Sequence, residues 1–222
     1  MGIEGRTLAA LQAIALFEGM RPADLEALAA VTVVRSYPEH AVIVNEGDRA
    51  DSLYLIFSGT IEFFVNGDDG RRLVLGMRGP GEYFGEIALD SGVRSASAIA
   101  IEPCRLGMLE RTAFLSFLGS HPETALALIN QLIGRTRTLT ERVRDLALLD
   151  VYGRLAKLLL SMAREDNGRL VVAQGLTQQE MGERIGASRE MVSRILRDLK
   201  AGGYVRFEGR RLLILRKPPR GW

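Results

Sequence analysis

Two short stretches of this 222-residue chain hold residue types whose order can do chemistry. The first reads Gly85-Glu86-Ile87-Ala88-Leu89, then Asp90-Ser91-Gly92-Val93, then Arg94-Ser95-Ala96. A glycine, a short turn with free amides, an arginine and a hydroxyl are the groups that an anionic phosphate requires. A glutamate in the same loop cannot favour phosphate, so its partner in such a site is a neutral hydroxyl such as a ribose 2′-OH. The same residues also suit an ordinary turn carrying a surface ion pair. Gly79-Pro80-Gly81 and Gly85 do not make a dinucleotide fingerprint, because the third glycine falls one residue late and no βαβ unit surrounds it.

The second stretch begins at Thr177-Gln178-Gln179-Glu180, a capping box in which the Thr hydroxyl and the Glu carboxylate each satisfy one orphan amide. Leu176 and Met181 flank it at the positions of a hydrophobic staple. The helix it starts runs to about Ile185, where Gly186 permits a tight turn. Ser188 then caps a second helix, Arg189–Ala201, closed by Gly202-Gly203. Val192, Ile195, Leu196 and Leu199 form its inward stripe, and Arg189, Glu190, Ser193, Arg194 and Arg197 lie opposite. Tyr204–Phe207 and Leu212–Leu215 flank Glu208-Gly209-Arg210-Arg211 as a hairpin with a basic tip. Helix, turn, polar helix and hairpin describe a winged helix-turn-helix. Arginines in the first turns of its second helix suit guanine O6 and N7 in the major groove, and a carboxylate suits cytosine N4. The candidate DNA contacts are therefore Arg189, Glu190, Ser193, Arg194 and Arg197, joined by the cap residues Thr177, Gln178 and Ser188. A solvated Arg/Glu face is the bland alternative; cap, turn, stripe and wing together favour DNA.

The elements that must position these stretches differ between the two halves. Leu8, Leu11, Ile14 and Ala15 recur at helical spacing, and Pro22 suits the start of a helix through Leu25, Leu28 and Ala29. Short runs then alternate with Gly, Asp, Asn and Pro: Ala41–Val44, Leu53–Phe57, Ile61–Val65, Arg72–Leu75, Ser97–Ile101 and Arg105–Leu109. Asn66–Gly70 is a hairpin turn between two of them. Many short strands at close spacing predict an antiparallel sandwich or barrel. From Arg111 the period is helical, and Pro122–Leu149 predicts one helix of about 40 Å. Ile129, Ile133, Thr136, Thr140, Val143 and Ala147 form a heptad-like seam on it, widened by Leu132, Leu139 and Leu146. Such a seam either packs on the chain's own β-domain or pairs with a second copy. Asp150 interrupts it before a further helix, Val151–Met162. The domain expectation is 7–120 for the β-domain, 121–149 for the long helix and 150–222 for the DNA-binding domain.

Composition is consistent with this division. Apolar residues make up 47% and charged residues 25% of the chain, the balance of a globular protein. Residues 1–133 carry 10 Lys/Arg against 17 Asp/Glu, and residues 134–222 carry 19 against 10. An acidic half joined to a basic half points to a polyanionic partner for the second. No apolar run approaches the ~18 residues of a membrane span, and the start lacks the order of a secretory signal; a cytoplasmic protein is expected. Ile3–Arg6 reads like a protease site, so Met1–Arg6 is given no structural weight. One cysteine, Cys104, with His40 and His121, supplies no metal-ligand cluster, and neither an iron–sulfur cluster nor haem has the ligands it needs. No nucleophile–base pairing is visible, so an enzyme is the remote alternative.

The cassette Gly85–Leu89 with Arg94-Ser95-Ala96 resembles the phosphate-binding cassette of cyclic-nucleotide-binding domains. With Leu148-Leu149-Asp150-Val151-Tyr152-Gly153-Arg154 and Ser188–Arg194, the chain from about Leu8 to Leu215 resembles the cyclic AMP receptor branch of the CRP/FNR bacterial regulators. The resemblance implies an α+β chain: an N-terminal antiparallel jelly-roll, a long dimerisation helix and a C-terminal winged helix-turn-helix. It implies that Gly85, Arg94 and Ser95 bind a cyclic phosphate, with Ile87 and Ala88 in the same cassette, and that Glu86 binds the ribose hydroxyl. Arg135 matches a basic residue near both. It further implies a homodimer through the long helices, a hinge at Leu148–Asp150 and base reading by Arg189, Glu190 and Arg194 in TGTGA-like half-sites. RNA polymerase is an implied partner, with Arg164–Arg169 as a candidate contact loop. Where that branch places adjacent hydroxyls against adenine, this chain has Leu139 and Thr140. Losing the first hydroxyl removes a partner of the adenine amino group, which leaves cyclic AMP, cyclic GMP and relaxed selectivity open. A family member that binds DNA constitutively or senses another signal is the alternative, and an enzyme acting on cyclic nucleotides is the remote one.

Overall fold

The computed structural model describes residues 3–90, 92–166, 169–172, 175–209 and 211–216. Ser91, Arg210, residues 167–168 and residues 1–2, all named above, lie outside the described residues. The chain divides into two compact units, with a break between Arg135 and Thr136 and with Asn66–Val74 grouping with the second.

The N-terminal unit opens with α1 (Ile3–Gln12), a 3-10 turn (Ala15–Phe17) and α2 (Pro22–Ala30). Pro22 stands at the first turn of α2, where its missing N–H costs nothing. Helix α1 begins inside the segment given no weight above, at Ile3, and buries Thr7 and Leu11. Eight strands follow: β1 (Val33–Tyr37), β2 (Val42–Val44), β3 (Ser52–Ser58), β4 (Ile61–Asn66), β5 (Arg72–Arg78), β6 (Tyr83–Phe84), β7 (Ser97–Ala100) and β8 (Cys104–Glu110). They form two four-stranded sheets, in the orders β1-β8-β3-β6 and β2-β7-β4-β5. Strands β1 and β6 were not among the expected runs. The first has mostly exposed positions and is held by its antiparallel register with β8, and the second is two residues long.

Strand β3 explains the layering. Leu53 and Leu55 point one way, into a core shared with Leu11, Phe17, Leu28 and Phe114. Tyr54 and Ile56 point the other way, into the sandwich with Ile61, Ala98, Ala100 and Leu106. A strand buried on both faces reads as a continuous apolar run, as Leu53–Phe57 does. Helices α3 (Arg111–Ser120) and α4 (Pro122–Leu148) follow β8. Leu128 and Leu132 pack on the helical side of the N-terminal core. Ile129, Ile133, Leu139, Val143 and Leu146 stay exposed, Val143 at 65%.

In the second unit, α5 (Val151–Met162) starts at Asp150, whose side chain accepts the Gly153 amide at 2.7 Å. Next come β9 (Arg164–Asp166), β10 (Arg169–Val172), α6 (Gln178–Ile185), α7 (Arg189–Ala201), β11 (Val205–Glu208) and β12 (Arg211–Ile214). The expected loop Arg164–Arg169 instead has strand at both ends. Val171 and Val172 are buried, and the pairing of β9 with β10 extends a sheet of order β11-β12-β10-β9. The sheet edge carries an ion pair between Arg211 and Asp166. The core behind α7 joins Val192, Ile195, Leu196 and Leu199 to Leu155, Leu159, Met181 and Leu212.

Because Leu55 is fully enclosed between β3 and the helices, Leu55→Ala should lower the stability of the N-terminal unit by about 2–5 kcal/mol, the range for such cavities. Urea unfolding followed by circular dichroism should show a lower midpoint with little change in slope.

Candidate functional site

The cassette residues converge on a groove of about 480 Å³, open to solvent and lined by Gly85, Glu86, Ile87, Arg94 and Ser95 from the predicted set. Strand β6 ends at Phe84, and a 3-10 turn, Glu86–Asp90, follows Gly85 directly. Gly85 has φ +85°, and a Cβ there would stand 2.6 Å from Arg94 Nη1 and 2.9 Å from the Ser52 carbonyl. The position therefore requires glycine both for its backbone and for the approach of the arginine.

Arg94 is 5% exposed. Its Nη2 donates to Ser52 O at 2.8 Å and its Nη1 to Gly85 O at 3.3 Å. The guanidinium lies 5.6 Å from the Tyr54 ring centroid. Its Nε is buried without a hydrogen-bond partner. The cation is thus held by carbonyls and a π-face, with no carboxylate hydrogen-bonded to it among the described residues, and its positive charge is left to the groove it lines. Ser95 is exposed beside it.

Glu86 and Arg135 meet at 2.7 Å. Arg135, from α4, also donates to Tyr83 O at 3.0 Å and covers the Tyr83 ring at 4.3 Å. Burial pushes the Tyr83 and Tyr54 phenols up, so both stay neutral at ordinary pH. A carboxylate offers about four lone-pair sites, so one arginine does not saturate Glu86. Ala88 is buried and does not line the groove; its amide is already donated to Gly85 O at 2.9 Å. Leu139 and Thr140 lie further along α4 and do not line it either. Leu139 is exposed, and the Thr140 hydroxyl donates to Thr136 O at 3.0 Å.

The groove also contains Ala96 of the cassette and residues that the sequence reading did not single out: Val44, Phe63, Arg78 and Phe84. Arg78 carried a usable signal, since it keeps the strand phase of the buried Val74 and is still charged. Val44 and Phe63 carried none, because their strands are far apart in sequence.

The second candidate surface is built as its spacing predicted. Glu180 N donates to Thr177 Oγ1 at 3.2 Å and Thr177 N to Glu180 Oε2 at 2.6 Å, the reciprocal capping box. Gly186 adopts the left-handed conformation at the end of α6, and Ser188 caps α7 by accepting from Met191 N at 3.2 Å. Arg189, Glu190, Arg194 and Arg197 are exposed, while Ser193 and Gln178 are half-buried at the edge of the same face. Hydrogen bonds from its own amide and from Ser188 hold the Glu190 carboxyl below its usual range, so it is an acceptor at neutral pH. Arg154, from the start of α5, donates to Ile185 O and Leu149 O, both at 2.8 Å, and ties the entrance of α5 to the end of α6.

The remaining candidate ligands are occupied elsewhere. Cys104 is buried, its thiol raised by burial and donating to Glu102 O at 3.1 Å. His121 stacks on Phe117, with Nδ1 2.9 Å from Phe117 O. Among the described residues, no group of three or more His, Cys, Asp or Glu is arranged to hold a metal, and no helix is long and apolar enough to cross a membrane.

Comparison with known proteins agrees with both surfaces. Residues 34–121 match the cyclic nucleotide-binding domain family and residues 153–220 match the Crp-like helix-turn-helix domain family. The CRP-like cAMP-activated global transcriptional regulator of Mycobacterium tuberculosis H37Rv is 35% identical over 204 residues, which are 90% of this chain and 91% of that one. The cAMP-activated regulator Vfr of Pseudomonas aeruginosa is 32% identical over 189 residues, covering 81% and 88%. Among solved structures, the c-di-GMP responsive regulator CLP of Xanthomonas campestris superposes with a TM-score of 0.76 at 27% identity, covering 87% of this chain and 99% of that one. With a nucleotide-binding β-domain, a long helix and a Crp-like DNA-binding domain in this order, the chain belongs to the CRP/FNR family of transcription regulators.

Proposed function

We propose that this regulator is a homodimer whose binding to palindromic, TGTGA-like DNA is controlled by a cyclic mononucleotide. The observation that carries the reading is Arg94, a buried guanidinium beside Gly85 that lines an open groove and is held by carbonyls rather than a carboxylate. The residues fit the effector. Gly85, Arg94 and Ser95 present the donors for a cyclic phosphate, Ile87 supplies apolar wall, and Glu86, positioned by Arg135, accepts from a ribose hydroxyl. Ala88 acts from beneath, by fixing the turn. The cyclic AMP named for the relatives in M. tuberculosis and P. aeruginosa is one candidate, and cyclic GMP is another because Leu139 stands where a hydroxyl is expected; Thr140 retains one.

The working division is 7–120 for effector binding, 121–149 for pairing and 150–222 for DNA. Pairing of two α4 helices through Ile129, Ile133, Leu139, Val143 and Leu146 covers a stripe that is otherwise in water, and places two α7 helices for successive major grooves about 34 Å apart. Arg189, Glu190 and Arg194 read bases, with Thr177, Gln178, Ser188, Ser193 and Arg197 at the backbone or base edges. RNA polymerase is the expected protein partner, and the site residues imply no chemistry on the nucleotide. To control occupancy, the effector must bind the DNA-competent dimer more tightly than the other state, since affinity without difference shifts nothing.

Fluorescence anisotropy on a palindromic TGTGA-type duplex, with and without cyclic AMP or cyclic GMP at one fixed salt concentration, tests the whole reading. A nucleotide should tighten binding. Arg94→Ala should abolish that response while leaving weak, salt-sensitive DNA binding. A full response in Arg94→Ala would place the effector elsewhere, and nucleotide-independent tight binding would leave a regulator without this signal. For the pairing, Val143→Glu puts a charge in the exposed stripe. Sedimentation velocity should show a shift from dimer to monomer at unchanged helical content; a persistent dimer would refute the seam.

A further inference from the structure

Arg78, which precedes the cassette closely in sequence but lies on a different strand, gives the groove a second arginine. Its side chain leaves the last residue of β5, 27% exposed, with its guanidinium 5.8 Å from the centroid of the Phe63 ring. Nη1 donates to Glu82 Oε1 at 3.2 Å, and the other oxygen of Glu82 accepts from Gly79 N at 2.8 Å. Glu82 is thereby fixed at both oxygens and sets the direction of the arginine fork. The remaining donors, Nε and Nη2, have no protein partner among the described residues. Val44 and Phe63 add apolar and aromatic surface to the same groove.

An aromatic ring, an aliphatic wall and a planar donor fork are what a purine requires: surface for its face and hydrogen-bond groups for one edge. An arginine carries donors and no acceptor. The N7/O6 edge of guanine presents two acceptors in fork geometry, whereas the same edge of adenine presents N7 and the donor N6–H₂. A donor fork therefore pairs with the first and faces a like donor in the second. We propose that Arg78 is a specificity-determining residue that reads the base of the effector, and that the groove prefers a guanine-type cyclic nucleotide, recognised at O6 and N7. This inference rests on the cyclic-nucleotide reading of the groove, and it concerns the base alone.

The test is calorimetric titration of the full-length protein, after exhaustive dialysis, with cyclic AMP, cyclic GMP and cyclic IMP. Cyclic IMP keeps O6 and N7 but lacks the 2-amino group. The wild type should bind cyclic GMP and cyclic IMP about tenfold or more tighter than cyclic AMP, the scale of one good bidentate contact. In Arg78→Leu that ratio should fall to within about twofold, mostly through weaker guanine-type binding, since the fork is gone. Arg78→Lys keeps charge without the planar fork and should also bring the ratio below about threefold; it serves as the folded control, verified by thermal melting, if the leucine variant does not fold. Equal or tighter binding of cyclic AMP by the wild type would overturn the inference and leave the cyclic-nucleotide reading standing. So would a ratio that neither variant changes, or cyclic IMP behaving like cyclic AMP. Failure of all three nucleotides to bind the wild type would overturn both.

Discussion

The N-terminal unit is organised around a cation held out of water without a carboxylate. Burying an isolated guanidinium is costly unless dipoles replace its hydration. Arg94 meets this with the carbonyls of Ser52 and Gly85 and the face of Tyr54. Each of those partners is fixed by something else. Ser52 and Tyr54 are set by the pairing of β3 with β8, Tyr54 is stacked on Phe84, and Gly85 is held in a conformation that a side chain would obstruct. The constraint runs from the sheet register to the arginine, and only then to the groove in front of it. A loop with the same residues on a loose scaffold would let the arginine turn to solvent.

Arg135 links the groove to α4. By pairing with Glu86 and donating to the Tyr83 carbonyl, it makes the first part of that helix an extension of the cassette. Leu128 and Leu132 bury the helix on the same unit, so its exposed stripe starts from a rigid base. A change at Glu86 thus has a direct physical route, through one ion pair, to the helix that carries the stripe.

The DNA-facing unit depends on a different economy. Its helices are short, and short helices gain little from propensity alone. Caps at Asp150, Thr177 and Ser188, the left-handed Gly186 and the shared core of α5, α6 and α7 hold them. Inward stripes account for the buried apolar residues of α7, which leaves Arg189, Arg194 and Arg197 exposed on the outer face.

Much of this was legible in the sequence because it is local. Capping boxes, turn glycines, the stripe of α7 and the ends of α5 and α7 depend on residues within a turn or two of each other, and all appear where spacing places them. The α+β order and the cassette were likewise legible, since the cassette is one contiguous segment. The tertiary structure decided what depends on distant pairing. It made strands of β1, β6, β9 and β10, whose residues lack strong alternation and are held by their neighbours' hydrogen bonds. It divided the α4 stripe, with Leu132 packed on the core and Val143 in water, a choice that periodicity cannot make because both share one helix. It also brought Val44, Phe63 and Arg78 to the wall facing Gly85 and Arg94. No spacing rule anticipates that wall, because it exists only once β2, β4 and β5 are joined in one sheet.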